Sequence, residues 1–228
     1  MTKLARFSAL ALGLVSALAL SSCSNDSNPT APAPKARVMV VHASPNAPAV
    51  DLLVDNVVAG TGLAFPNSTA YLEVKAGTRN VKVNVTGTST TVINADLAVA
   101  GGSYYTVFAA DSVSKIAPVV LTDDLTAPAA GKAHVRFVHL SPNAPAVDVA
   151  VTGGPVLFAN KSFKGFTAFT PVDAGTYNLE VRLAGTTTVA LPLPGITLTA
   201  GKIYTVFAKG FAGGTGAQAL GAQIIVNN

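Results

Sequence analysis

The chain has no tryptophan, one cysteine, two methionines and three histidines in 228 residues, and only 11% of it is charged. Each scarcity narrows the field. A lone cysteine has no intramolecular disulfide partner. Three histidines, one of them (His134) outside the repeated motif described below, fall short of the clustered ligand set of a zinc centre. Asp55 and the Asp123-Asp124 pair lack the D-x-D-x-D-G spacing of a calcium loop and read as solvated turn carboxylates. No metal and no cofactor is expected. The absence of tryptophan weakens a sugar-binding reading, because sugar faces favour aromatic platforms.

Charge is equally sparse. The formal net charge of +4 includes Lys3 and Arg6, which lie in a segment expected to be removed; without them 13 basic residues face 11 acidic ones. The basic residues are scattered and no aromatic platform accompanies them, which argues against nucleic acid as a partner. Half the chain is hydrophobic, so most of it should fold rather than stay disordered. Val, Thr and Ala are abundant while Glu and Lys are few. That balance favours strands over exposed helices, which carry a charged outer face.

The N-terminus reads as an address. Lys3 and Arg6 precede an apolar or small run from Phe7 to Leu20. Its length of about 21 Å is too short for a bilayer core of ~30 Å, and matches a signal-peptide core. Leu20-Ser21-Ser22-Cys23 then resembles the bacterial lipobox. That resemblance implies lipidation of Cys23, and two or more acyl chains would anchor the protein stably. Ser24, where an Asp would retain an enteric-type lipoprotein in the inner membrane, points to the outer membrane in a Gram-negative cell, and otherwise to the outer face of the cell membrane. The polar, Pro-rich stretch up to residue 36 reads as a tether.

A repeat dominates the remainder. Val38 to Asn56 reads VMVVHASPNAPAVDLLVDN and Val135 to Gly153 reads VRFVHLSPNAPAVDVAVTG, 97 residues apart. Further blocks also recur, including Ala76-Gly77-Thr78 with Ala174-Gly175-Thr176, and Tyr105-Thr-Val-Phe-Ala with Tyr204-Thr-Val-Phe-Ala. The segmentation is then a signal peptide at 1–22, a tether at 23–36, a first repeat at 37–124, a linker at 125–133 and a second repeat at 134–228. These blocks resemble the family known as domain of unknown function 4397, across both repeats. The resemblance implies an envelope or secreted setting and carries no catalytic residue.

Strand periodicity fixes the fold class. Val81, Val83 and Val85 alternate with Lys82, Asn84 and Thr86, and Leu179, Val181 and Leu183 with Glu180, Arg182 and Ala184. The Ala-Gly-Thr triplets between such runs read as tight hairpins. Seven or eight short strands per repeat indicate an all-β protein with two tandem small β-sandwich domains, immunoglobulin- or prealbumin-like. Each repeat is expected to fold by itself.

The repeated motif holds His42, Ser44, Asn46 and Asp51 in one copy and His139, Ser141, Asn143 and Asp148 in the other. Ser, His and Asp invite a hydrolase reading, but no G-x-S-x-G elbow is present. Alternation puts His42 with Val38 and Val40, and His139 with Val135 and Phe137, on the core side. Met39 aligns with Arg136, so the opposite face reads as wet. The structural reading is a clasp: a buried imidazole ties down the Ser-Pro-Asn-Ala-Pro loop and the Asp accepts backbone N–H groups. Gly210 to Gly216 reads as a flexible hairpin loop rather than a phosphate cradle, with Phe211 as an exposed contact residue. The functional expectation is a non-enzymatic, lipid-anchored envelope module for interaction, adhesion or scaffolding, with an envelope protein or glycan as partner. A periplasmic or surface glycan-binding protein is the alternative, and a hydrolase ranks last.

Overall fold

The computed structural model describes residues 34–228; the expected signal peptide, lipobox and Cys23 lie outside them. The described chain is all-β. The first repeat contributes β1 (Lys35–Ala43), β2 (Val50–Val54), β3 (Val57–Leu63), β4 (Leu72–Lys75), β5 (Gly77–Val85), β6 (Thr91–Val99), β7 (Tyr104–Ala110) and β8 (Ala117–Asp123). The second contributes β9 (Lys132–His139), β10 (Val147–Val151), β11 (Val156–Lys161), β12 (Thr170–Asp173), β13 (Gly175–Leu183), β14 (Val189–Leu198), β15 (Ile203–Lys209) and β16 (Gly221–Val226). Each set forms two four-stranded sheets, ordered β4-β1-β7-β8 and β3-β2-β5-β6, then β12-β9-β15-β16 and β11-β10-β13-β14. The opening strand of each repeat pairs in parallel with its seventh strand, and the other pairings are antiparallel.

Alternation builds the sandwich interiors. Val38, Val40, Leu52, Val83 and Ile93 meet in the first core, and Val135, Phe137, Val149, Val181 and Val206 in the second. The Ala-Gly-Thr triplets are not hairpins. β4 pairs with β1 in one sheet, whereas β5 pairs with β2 and β6 in the other. Gly77 and Gly175 therefore sit at corners where the chain changes sheets, and Gly77 has a φ of 107°.

The opposite face of β1 and β9 is not wet. Met39, Val41, Ala43, Phe108, Ala110 and Leu121 of the first repeat pack with Val138, Leu140, Phe207 and Ile225 of the second, in a third apolar core. The described residues of both repeats consequently belong to one compact unit. Phe108 and Phe207, equivalent in the two repeats, are fully buried and meet edge to face with centroids 5.6 Å apart. Such a pair adds about 0.5–1.5 kcal/mol beyond its area burial. Val41 and Val138 are likewise equivalent, so the copies meet through the same face.

The tolerated charge on that face is explained by its partner. Arg136 is almost wholly buried and forms an ion pair with Asp123 across the junction, with N···O 2.7 Å. Its Nε–H donates to Thr205 at 2.9 Å, and its guanidinium lies 4.5 Å from the centroid of the Phe169 ring. Asp123 also accepts hydrogen bonds from the hydroxyls of Tyr71 and Thr106. Asn227 accepts from Thr205 and donates to Tyr71, closing the network. Strand register makes Asp123 the counterpart of Asn227, and the repeat makes Met39 the counterpart of Arg136. One copy thus carries the anion and the other the cation.

Candidate functional site

The repeated motif gathers polar side chains that the two copies share, and every one of them except Ser44, whose buried hydroxyl has no partner among the described residues, makes a side-chain hydrogen bond. β1 and β9 end at His42 and the residue beyond it, and at His139, with both imidazoles fully buried. Nε2 of His42 lies 2.9 Å from the Pro48 carbonyl oxygen, and Nε2 of His139 lies 3.0 Å from that of Pro145. A carbonyl only accepts, so Nε2 carries the proton and Nδ1 is the bare nitrogen. In the second copy that nitrogen accepts the Ser141 backbone N–H at 3.3 Å. Burial pushes both imidazoles below their ordinary pKa, against the partial offset of these hydrogen bonds.

Asn46 and Asn143 reach out of the loop to the connection that follows the seventh strand. Asn46 Oδ1 accepts the Val113 N–H at 2.9 Å. Asn143 holds Ala212 by two hydrogen bonds, accepting from its N–H and donating to its carbonyl. Ser141 adds a bond from its hydroxyl to the Gly210 carbonyl at 2.7 Å. These bonds hold the start of the glycine-rich segment, Gly210 to Ala212, against the motif loop. The Phe211 N–H also donates to Gln218 O, and Phe211 is half-buried rather than exposed.

Asp51 and Asp148 serve a different part of the fold from the loop they follow. Asp51 accepts the N–H groups of Gly62 and Gly87 and the Thr86 hydroxyl. Asp148 accepts those of Asn160 and Gly185. Gly62 and Asn160 both have positive φ at the irregular pairing of the third strand with the second. Gly87 and Gly185, also at positive φ, turn the chain between the fifth and sixth strands. These backbone donors hold both carboxyls below the usual aspartate range.

This geometry does not assemble a triad. Each imidazole commits Nε2 to a proline carbonyl, neither carboxylate bonds to an imidazole, and Ser44 and Ser141 are fully buried. No group of three or more metal-ligating side chains occurs among the described residues. Asp55 pairs with Arg79, and Asp123 is buried against Arg136 rather than solvated in a turn. The cross-repeat network had one visible signal in the sequence, the Met39/Arg136 divergence, whose meaning depended on knowing what faced it.

Among curated proteins, none matches this chain. Among solved structures, the chain is similar to the crystal structure of CBMbc (family CBM26) from Eubacterium rectale Amy13K in complex with maltoheptaose. The match has 9% identity, covers 84% of this chain and 96% of that one, and has a TM-score of 0.27. At that score the likeness carries no argument about ligand. The profile of the family described as Domain of unknown function (DUF4397) matches residues 36–150 and 150–228. With both repeats matched, the chain belongs to the DUF4397 family.

Proposed function

We propose that this protein is a lipid-anchored component of the cell envelope whose paired β-sandwiches act as one rigid, non-enzymatic interaction module. The observation that carries this reading is how the motif spends its chemistry. Its imidazoles, carboxylates and asparagines brace loops in both copies: each imidazole on a proline carbonyl, each asparagine on the connection after the seventh strand, each aspartate on backbone N–H groups of two turns. Bracing of that kind holds loop tips in fixed positions for contact with a partner. Phe166 is 51% exposed and borders, with Val120 and Phe169, an open groove beside the junction. It is the large aromatic best placed to contact a partner protein or glycan.

The anchor in this proposal is Cys23, placed by the signal-like segment and lipobox before it. Mass spectrometry of the mature protein is expected to find an acylated N-terminal cysteine, and Cys23→Ala is expected to move the chain to the soluble fraction. An unmodified Cys23 in mature protein would contradict it. For the module itself, pull-down from envelopes with the full chain should recover a defined partner. Phe166→Ala should reduce that recovery severalfold without lowering Tm. Unchanged recovery would remove Phe166 from the contact.

A further inference from the structure

We propose that the first sandwich is a binding site for a single-chain anionic amphiphile of the fatty-acid class, the end of its tail inserted between the two sheets and the rest lying along the groove at their edge. This goes beyond the envelope role and depends on neither the anchor nor a partner. A cavity of about 70 Å³ lies inside that sandwich, walled by side chains including Val38, Val40, Leu52, Val83, Ile93 and Val107. The only charged residues on its wall are Arg79 and Asp96. At 10–15 Å³ for each water-sized position, it has room for about five heavy atoms. A cavity with such walls stays dry and accepts apolar guests.

The second repeat shows what normally fills this space. Val40 corresponds to Phe137, and Gly60 to Phe158, since Gly60 faces Leu52 across the sheet as Phe158 faces Val149. Phe137 and Phe158 stack with an interplanar angle of 8°, and the matching cavity is about 30 Å³. The first repeat keeps the strands and omits both rings. A Cβ on Gly60 would meet only Leu52, at 3.6 Å, so backbone crowding does not require the glycine.

The cavity also has a mouth. Val54, Ala59, Leu72, Val74 and Arg79 line both it and an open groove of about 590 Å³ between the edge strands β3 and β4. Val57 and Val58 on that groove are 69% and 59% exposed, apolar surface that a chain would cover. The carboxylates there are already paired, Glu73 with Lys35 and Arg37, and Asp55 with Arg79. Lys75 has no ion-pair partner among the described residues, and Arg79 Nε is buried without an acceptor. An apolar tail with an anionic head satisfies the cavity, the valines and these donors together.

The test is calorimetric titration of the full chain carrying Cys23→Ala, which removes the thiol at which an attached lipid would compete, with dodecanoate and with dodecanol. The expected result is saturable binding of one dodecanoate, tighter than dodecanol. Val40→Phe and Gly60→Phe, which import the second repeat's rings, should each weaken it at least tenfold while Tm holds or rises. Arg79→Gln removes the cation shared by the groove and the cavity mouth, leaves the apolar walls in place, and should sharply reduce the preference for dodecanoate. The proposal is overturned by no saturable binding, by unchanged affinity in a filled variant that melts at or above wild type, or by a head-group preference undiminished in Arg79→Gln.

Discussion

At His42 and His139 the protein keeps a neutral imidazole in its interior by giving Nε2–H a carbonyl and denying the charged form solvent. Both folded pKa values lie below the ordinary value of 6.5. Above that value the rings are neutral in folded and unfolded chains alike, so the clasp contributes in full. As pH falls below it, the unfolded chain takes up protons first, and stability is lost until the lowered folded value is reached. Tm is therefore expected to decline on mild acidification, and the double variant His42→Gln/His139→Gln, which keeps a donor and removes the titration, should decline less. Circular dichroism melts across that range check this; equal slopes would contradict it. Asp51 and Asp148 act in a lower window, because their depressed pKa values make their contribution disappear only as pH falls below about 3.8. The repetition of these residues was legible in the sequence, as was the core side of the histidines. The aspartates' partners were not: the backbone donors to Asp51 lie 11 and 36 residues away, on elements with no local mark of that contact.

Elements were legible where one dimension carries the answer. Alternation identifies a strand and its two faces, but it does not say which sheet the strand joins. A glycine between two alternating runs looks the same at a hairpin and at a corner, which is why Ala-Gly-Thr misled. The start of the segment Gly210 to Gly216 shows a related gap, since composition suggests freedom and contacts impose the opposite. A Cβ on Gly210 would lie 2.1 Å from the Ala219 carbonyl oxygen, at a φ of 80°. Gly213 has a similar φ of 78° with open space around it. Gly210→Ala is accordingly expected to lower Tm far more than Gly213→Ala, whose backbone cost is about 1 kcal/mol. Thermal melts of the two variants read the difference directly. Similar small losses would mean that the loop yields and the pinning by Asn143 and Ser141 is weak.

The whole molecule is where the sequence was least informative, because a face can be assigned from periodicity while its occupant cannot. The side opposite the sandwich core holds Met39 in one copy and the buried Arg136 in the other, and what covers it is the second copy. Arg136→Ala should cost about 3–5 kcal/mol, since it strands the Asp123 carboxylate in the junction. Arg136→Met with Asp123→Asn gives each copy the other's residue at these positions and should recover most of that loss. A double-mutant cycle by chemical denaturation measures the coupling, and additive losses would show that the pair is not a unit. The expectation that each repeat folds alone now meets a shared core with Phe108 against Phe207 at its centre. The most direct test is differential scanning calorimetry of the full chain beside its Phe207→Ala variant. One transition is expected, with equal calorimetric and van't Hoff enthalpies, and the variant should shift all of it downward by a destabilisation of about 3–5 kcal/mol. Two separate transitions, with the one from the first repeat unmoved by Phe207→Ala, would contradict the single fused body.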